Sequence, residues 1–312
     1  MNDITKLRQL MEESVKENMC DGILLSGGLD TSILAFLASR RNLDLKAFTV
    51  AFNDPPDLEY SKKLAVELNL EHHIINLSEE DLIANIKPTI EILHSFDPME
   101  IRNSIAIYSG LNFAKEYVSS IMTGDGADEV FYGYSYLREM SEEDLKEYSS
   151  RLYKVMQFSS KGLGRKLGIR VNIPYLSKEV KDFAIDLDPH LKIRDGIGKW
   201  ILRKAYENDL AEEFIWREKT PIEYGSGTSK LTDMFDNRIS DDEFMEKRLE
   251  YGRDSVKIRD KEHLHYYKIY RRVVGGIPSP KGDERVCKGC GTGLPAQALH
   301  CKVCGNNENG KD

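Results

Sequence analysis

The sequence predicts an α/β fold, in which a parallel twisted sheet with helices on both faces is followed by a helical region and a small zinc ribbon with four cysteine ligands. Apolar runs of strand length alternate with helical patterns in the first part of the chain, and from about residue 140 the strand signal disappears. Such alternation is typical of a parallel sheet, because each helix carries the chain back to the edge where the next strand begins. Four of the five cysteines lie near the C-terminus.

The predicted elements follow one another without an internal repeat. The predicted strands cover residues 22–25, 45–52, 72–77 and 118–122. The predicted helices cover residues 33–38, 59–68, 81–94 and 106–117, after an amphipathic helix at the N-terminus. Pro55 and Pro56 end the second strand, and residues 142–270 alternate helical patterns with short loops.

The clearest linker lies at residues 277–282, which contain two prolines and a glycine. We therefore expect one large domain at residues 1–280, followed by the linker and ribbon at 281–312. Within the large domain, the sheet part is expected at about 20–135 and the helical part at about 140–278.

Composition limits the classes of protein to consider. The chain is 40% hydrophobic, which is sufficient for a real core, and its net charge of -8 argues against a protein that coats nucleic acid. It has no stretch of about eighteen apolar residues, so no membrane span is predicted. Its first residues lack the apolar core of a signal peptide, and we expect a cytoplasmic protein.

A polar loop follows the first predicted strand and leads into the buried helix at 33–38. Its glycines allow close backbone approach, the free N–H groups at the helix start attract anions, and Asp30 can hold the magnesium that accompanies a polyphosphate. The loop lacks the Gly-Lys-Ser/Thr ending of a Walker loop. The alternative is a glycine turn that binds nothing. The residues assigned to ATP here are Leu24, Ser26, Gly27, Gly28, Leu29, Asp30, Thr31 and Ser32.

A second polar loop follows the strand at 118–122. It begins with Thr123, Gly124 and Asp125 and continues through Asp128 to an aromatic segment. The carboxyl ends of parallel strands are where open sheets bind ligands, so the two loops are expected to hold one metal–pyrophosphate between them. The alternative is a solvated acidic turn.

The string at residues 26–32 resembles the PP-loop of the N-type ATP pyrophosphatases. Together, the two loops resemble the synthetase domain of class B asparagine synthetases and the related β-lactam synthetases, over about residues 20–278. The resemblance implies a fold of the adenine nucleotide α-hydrolase type. Further segments that resemble the family are 48–52, 97–102, 196–203, 216–219 and 261–270.

This resemblance implies that ATP is cleaved between its α- and β-phosphates while a carboxylate becomes an acyl-adenylate, which an amine then attacks. It implies that Asp30 and Asp128 bind magnesium, and that the backbone of the strand containing Val50 recognises adenine. Lys199 is implied at the α-phosphate or the tetrahedral intermediate, and Arg102 and Lys219 at pyrophosphate or a substrate carboxylate. The residues expected to be catalytic are Lys199, Asp125 and Arg102, and Val50, Thr123, Gly124 and Lys219 join the ATP-binding set.

The chain departs from the family in two places. Position 2 is Asn2, where glutamine-using members have a nucleophilic cysteine, so no glutaminase is expected. Nitrogen would come from free ammonia, from a separate ammonia-supplying subunit or from an amine on the substrate. Met99-Glu100 stands where the asparagine synthetases have Thr-Thr, and residues 170–177 also differ. Since buried polar pairs set specificity, aspartate is not the favoured substrate and the carboxylate stays unidentified.

The C-terminal cysteines form two C-x-x-C pairs separated by ten residues. In a reducing compartment, this spacing predicts a closed tetrahedral zinc site rather than disulfides, with an iron–sulfur centre as a distant alternative. So short a segment needs the metal for its folding energy. The expected zinc ligands are Cys287, Cys290, Cys301 and Cys304, whereas Cys20 is expected to pack in the core.

These observations predict an ATP-dependent, AMP-forming amide ligase that acts on a small carboxylate. The alternative is an enzyme that uses the same adenylation to modify a tRNA or a protein recognised through the zinc ribbon. A third hypothesis, a nucleotide-binding scaffold without activity, conflicts with the presence of Asp30, Asp128 and Lys199.

Overall fold

The computed structural model describes residues 2–253 and 255–307. Its main sheet has five strands that are all parallel, in the spatial order β3-β2-β1-β4-β5. The strands are β1 (Gly22–Leu24), β2 (Lys46–Ala51), β3 (Glu71–Asn76), β4 (Ser120–Met122) and β5 (Arg170–Asn172). The parallel sheet flanked by helices is therefore confirmed.

Helices connect these strands and form the region beyond them. The α-helices in the described ranges, α1 to α16, are Asp3–Glu17, Leu29–Ser39, Pro56–Glu67, Glu79–Leu93, Pro98–Ala114, Ala127–Phe131, Glu142–Val155, Ser159–Leu167, Lys178–Asp186, Pro189–Lys192, Trp200–Tyr206, Glu212–Ile215, Ile222–Ser226, Leu231–Arg238, Asp241–Gly252 and Lys261–Val273. Antiparallel pairs of short strands are β6 (Ile193–Arg194) with β7 (Ile197–Gly198), and β8 (Arg285–Val286) with β9 (Gly293–Leu294). None of these helices combines the length and apolar character needed to cross a bilayer.

The strand order reverses at β1, which pairs with β2 on one side and β4 on the other. Chain connections leave such a reversal point in opposite directions, so a crevice opens above the carboxyl ends of the two central strands. The loops that follow β1 and β4 both begin at this crevice. The fold thus brings the two polar loops of the sequence together.

The structure corrects two boundaries. The prediction that no strand follows about residue 140 is wrong, because β5 extends the sheet at Arg170–Asn172. Helix α5 begins at Pro98 rather than near residue 106. The Asp97 side chain accepts a hydrogen bond from the Met99 amide, and proline at the first position lacks the N–H that a helix start leaves unpaired.

The cysteine-rich tail packs against the large domain. Its four C-x-x-C cysteines share one apolar cluster with Phe96, Ile258 and Tyr270. The Phe96 amide donates to the carbonyl of Val303 (2.7 Å), and Arg259 Nη1 donates to the carbonyl of Gly305 (2.9 Å). We keep a ribbon at 281–312 as a proposed unit, of which residues 308–312 lie outside the described residues.

Candidate active site

The first polar loop joins β1 to α2 with its hydroxyl groups paired to each other. Ser26 Oγ lies 3.0 Å from Thr31 Oγ1, and the Gly28 amide donates to Ser26 Oγ (3.2 Å). Gly27 has a φ of 67°, and a Cβ there would lie 2.6 Å from the backbone at Tyr60 and Ser61. Glycine is required at this position because both the left-handed conformation and the close packing exclude a side chain.

Four chain segments meet at a largely buried charge cluster, which we define as Asp30, Asp128, Lys199 and Lys219. Lys199 Nζ lies 2.6 Å from Asp30 Oδ2 and 2.6 Å from Asp128 Oδ1, and Lys219 Nζ lies 2.8 Å from Asp128 Oδ2. The Lys199 side chain is only 5% exposed. Residues from α2, α6, the start of α11 and a loop near residue 219 thus form one site.

The charges in this cluster depend on one another. Burial opposes the charge of Asp128, but Lys199 and Lys219 outweigh burial and lower the pKa of this carboxyl. Burial opposes the charge of Lys199 as well, and its two carboxylate partners keep its pKa raised. Burial and the charge of Asp128 raise the pKa of Asp30. The cluster therefore keeps Asp128 and Lys199 charged in a fixed arrangement, as transition-state stabilisation requires.

Backbone constraint holds Lys199 in this position. Lys199 has a φ of 55°, in the left-handed region that costs a non-glycine residue about 1 kcal/mol or more. Its amide donates to the carbonyl of Phe131 (3.2 Å), which lies in α6 next to Asp128. A Cβ on Gly133 would overlap the Asp128 carboxylate and the Lys199 side chain. The local backbone is thus shaped around the charge cluster.

Asp30 and Asp128 suit a magnesium ion. Asp30 Oδ1 is buried without a hydrogen-bond partner among the described residues. Asp128 Oδ1 is also buried, and its contact with Lys199 Nζ lacks hydrogen-bond geometry. Carboxylate oxygens held in this way are the hard ligands that Mg²⁺ prefers alongside polyphosphate. We assign the two aspartates to magnesium as a proposal.

Some of the other residues assigned to ATP from the sequence lie at the same crevice. A Cβ added at Gly110 would meet Leu24 Cδ2 at 2.8 Å and Val50 Cγ2 at 3.3 Å, so these two side chains adjoin one another. A Cβ added at Gly124 would lie 3.2 Å from Asp30 Cβ. The structure therefore brings Leu24, Val50 and Gly124 to one end of the sheet, whereas Leu29 and Ser32 are buried in α2.

Asp125 does not join the charge cluster through a hydrogen bond. Its Oδ2 accepts from Thr123 Oγ1 (3.0 Å) and from Ser160 Oγ, at the start of α8. Burial raises the pKa of Asp125, while the Ser160 and Thr123 hydroxyls oppose that change. These contacts indicate that Asp125 ties the second polar loop to α8.

Arg102 lies in a different charged cluster. Its Nη1 donates to Glu262 (2.7 Å) and Thr232 (3.3 Å), and its Nη2 donates to Glu223 (3.4 Å). The two carboxylates are the partners that raise the pKa of Arg102 against the effect of burial. The structure thus pairs Arg102 with Glu223 and Glu262 rather than with Asp30 or Asp128. Its catalytic role stays a prediction.

Sequence reasoning missed a group of contacts that holds the first polar loop, formed by Arg217, Asp57 and Tyr60; we call this group the latch. Arg217 Nη2 binds Asp57 Oδ1 (2.7 Å), and Nη1 donates to the carbonyl of Ser26 (3.3 Å). The guanidinium lies 3.9 Å from the centre of the Tyr60 ring. The only sequence signal was the basic segment at 216–219, which identified Arg217 but not its partners. The latch also fixes the backbone two residues before Lys219.

Tyr175 was also missed as a site residue. It is fully buried, and its hydroxyl donates to the carbonyl of Asp30 (3.0 Å). This hydrogen bond spans 145 residues of sequence and holds the first turn of α2.

The four C-terminal cysteines form a candidate zinc centre. Their sulfur atoms all lie within 4.8 Å of one another, with Cys287 Sγ 3.7 Å from Cys304 Sγ and Cys290 Sγ 3.8 Å from Cys301 Sγ. A tetrahedron with Zn–S bonds of about 2.3 Å has sulfur–sulfur edges of about 3.8 Å. The Gly289 amide donates to Cys287 Sγ (3.2 Å), as a thiolate would accept. Zinc therefore fits this site.

Comparison with known proteins identifies the family. The family model described as asparagine synthase matches residues 6–171 and 163–268. The chain is 29% identical over 301 residues to the glutamine-hydrolyzing asparagine synthetase of Gallus gallus, covering 88% of this chain and 53% of that protein. It is 27% identical to asparagine synthetase B of Escherichia coli, covering 92% and 56%. The chain thus spans about half the length of the curated relatives it matches.

Solved structures give looser likenesses. The NMN synthetase of Francisella tularensis has 17% sequence identity and a TM-score of 0.33, covering 73% of this chain and 92% of that chain. The NH3-dependent NAD synthetase of Campylobacter jejuni has 17% identity and a TM-score of 0.31, covering 68% and 98%.

Because the family model matches well over half of the residues of this chain, the chain belongs to the asparagine synthase family.

Proposed function

We propose that the chain is an ATP-dependent ligase that adenylates a carboxylate, releases pyrophosphate and transfers the acyl group to ammonia or an amine. One observation carries the proposal: Asp30 and Asp128, from the first turns of the helices that follow two central strands, converge on the buried ammonium of Lys199. Membership of the asparagine synthase family supports the ligase class.

In the first step, a carboxylate oxygen attacks the α-phosphorus of ATP, and the bond to the bridging oxygen of the β-phosphate breaks. Pyrophosphate leaves, and AMP stays attached to the acyl group. In the second step, the nitrogen of ammonia or an amine attacks the acyl carbon, loses a proton, and AMP leaves. Both steps concentrate negative charge, which fixed cations stabilise in a water-poor site.

The charge cluster supplies the groups that this chemistry needs. Asp30 and Asp128 would hold magnesium, which neutralises charge on the phosphates when bound. Lys199 and Lys219 donate to these carboxylates in the structure, which supports a role for their ammonium groups beside the phosphates. Lys199 would contact the α-phosphate and the tetrahedral acyl centre, and Lys219 the departing pyrophosphate. The first loop would cradle the phosphates with its amides and hydroxyls.

The nitrogen source belongs to the same proposal. The curated relatives are named as glutamine-hydrolyzing, and this chain spans about half of their length. We propose ammonia, either free or delivered by a separate subunit, with an amine on the substrate as the alternative.

The decisive experiment follows the products of ATP. Purified protein would be incubated with ATP, magnesium, ammonium chloride and a panel of amino diacids, diacids and amino acids, with AMP and pyrophosphate measured separately. AMP and pyrophosphate formed in equal amounts with an amide support the proposal, and ADP with inorganic phosphate overturns it. Asp30→Asn should abolish turnover with the fold intact, as judged by circular dichroism.

A further inference from the structure

The zinc ribbon lies against helix ends of the large domain. Its second C-x-x-C segment, Cys301–Cys304, accepts a hydrogen bond from the Phe96 amide through Val303, just before α5. Lys302 Nζ donates to the carbonyl of Val155 (3.0 Å), the last residue of α7. The segment is therefore held between the start of α5 and the connection from α7 to α8.

This is the same edge of the sheet as the ATP loops. Helices α5 and α8 each lead into a parallel strand, β4 and β5, so both begin at the edge where the strands end. A direct contact confirms the placement, because Ser160 at the start of α8 donates to Asp125 in the second polar loop. The ribbon residues at these helix starts thus lie at the same edge of the sheet as the second polar loop.

Opposite charges face each other where the ribbon meets α5. Glu100 is half-buried, and its carboxylate accepts from Ser104 Oγ (3.1 Å) and lies beside the Ser159 hydroxyl. His300 and Lys302 interact electrostatically with Glu100 from the ribbon, and both side chains are exposed. In the described part of the chain, no carboxylate lies within ion-pair distance of Lys302 and no cation within that distance of Glu100. Neither charge is therefore neutralised by a direct ion pair, although Lys302 Nζ donates to the Val155 carbonyl and Glu100 accepts from hydroxyl groups.

We infer that the ribbon forms one wall of the substrate site, where Glu100 binds an ammonium group and Lys302 binds a second carboxylate of a zwitterionic substrate. This inference rests on the proposed function, and it adds two specificity-determining residues to it. The carboxylate of Glu100 is oriented by hydroxyl groups, and the ammonium of Lys302 is oriented by a backbone carbonyl. The two groups can therefore bind an ammonium and a carboxylate at one end of a small molecule. On this inference, the ribbon recognises the small substrate rather than a tRNA or a protein.

The test crosses two variants with three probes. The probes are L-glutamate, glutarate, which lacks the amine, and γ-aminobutyrate, which lacks the second carboxylate. KM and kcat for pyrophosphate release are measured for each. We expect Glu100→Gln to raise KM at least about tenfold for L-glutamate and γ-aminobutyrate but not for glutarate. Lys302→Met should raise KM similarly for L-glutamate and glutarate but not for γ-aminobutyrate. The same series with L-aspartate, succinate and β-alanine tests a shorter substrate.

Lys288→Met is the matched control, because Lys288 follows the first cysteine of its C-x-x-C pair as Lys302 does and is exposed. It should leave every KM unchanged, and Lys302→Met should keep wild-type zinc content and thermal stability. A variant that raises KM for all three probes equally, or for none, overturns the inference while adenylation stands. Pyrophosphate release that requires an added tRNA or protein also overturns it. Absence of pyrophosphate release under every condition removes the proposed function as well.

Discussion

Lys199 lies between two largely buried carboxylates, so its removal should affect both catalysis and stability. Lys199→Met leaves Asp30 and Asp128 facing each other without the shared cation. We expect kcat for pyrophosphate release to fall about 10²- to 10³-fold, which is the usual cost of losing one transition-state donor. We also expect a lower melting temperature in the absence of magnesium. Lys166→Met, at an exposed position in α8, is the control. A wild-type kcat in the Lys199 variant would contradict the assigned role.

Gly133 tests how tightly the backbone encloses the same cluster. A Cβ there would overlap the Asp128 carboxylate and the Lys199 side chain, so neither partner could keep its position. Gly133→Ala should lower the free energy of unfolding by about 1–3 kcal/mol, measured by urea titration, and should reduce turnover. Gly252→Ala is the control, since a Cβ at Gly252 would have nothing within 4 Å. Equal stability of the two variants would refute the close packing.

At the scale of single residues, the sequence predicted the convergence of Asp30, Asp128 and Lys199 but not the groups that support them. The first three lie in motifs with a recognisable order. Tyr175 lies in an apolar segment, where nothing indicates that its hydroxyl will bind the carbonyl of Asp30. Asp57 follows two prolines and reads as part of a turn, although it becomes the buried partner of Arg217. Supporting contacts of this kind depend on tertiary packing between distant segments.

At the scale of elements, Arg217 lies in the segment before α13 and connects it to the start of α3 and to the first polar loop. Arg217→Met would leave Asp57 buried without its cation, and breaking a buried ion pair from one side costs about 3–5 kcal/mol. We expect a lower free energy of unfolding and a raised KM for ATP, because the Ser26 carbonyl also loses its donor. Urea titration and steady-state kinetics measure the two effects.

A double variant separates these effects. Arg217→Met with Asp57→Asn removes the unpaired charge, so much of the stability should return while the KM for ATP stays raised. If the double variant also restored the KM for ATP, Arg217 would act only through Asp57 and would not position the loop.

The predictability of the elements follows from the strength of their signals. Strands β2 and β3 have six residues each and were predicted within one or two residues. Strand β5 has three residues, of which Arg170 is exposed and only Val171 is buried, so no apolar run marks it. The helix predicted from residue 106 begins eight residues earlier in the structure, because the capping by Asp97 starts α5 at Pro98.

At the scale of the whole molecule, the reversal of strand order at β1 explains why distant segments build one site. The loops after β1 and β4 meet there, the helical region supplies Lys199 and Lys219, and the ribbon approaches the same edge at α5. The two C-x-x-C pairs predicted a zinc ribbon from spacing alone. Nothing in that spacing indicated the surface it would pack on, because that surface is made by Phe96, Ile258 and Tyr270 from separate segments.

Zinc should therefore stabilise the large domain as well as the ribbon. The four cysteines share an apolar cluster with α16 and with Phe96 before α5, so unfolding of the ribbon would expose that cluster to water. Chelating the zinc of the intact protein should lower its melting temperature by at least about 5 °C in a single transition. Added zinc should reverse the change, and added magnesium should not. If the main transition keeps its midpoint while a small separate one disappears, the ribbon is an independent unit and its contacts with α5 and α16 contribute nothing measurable.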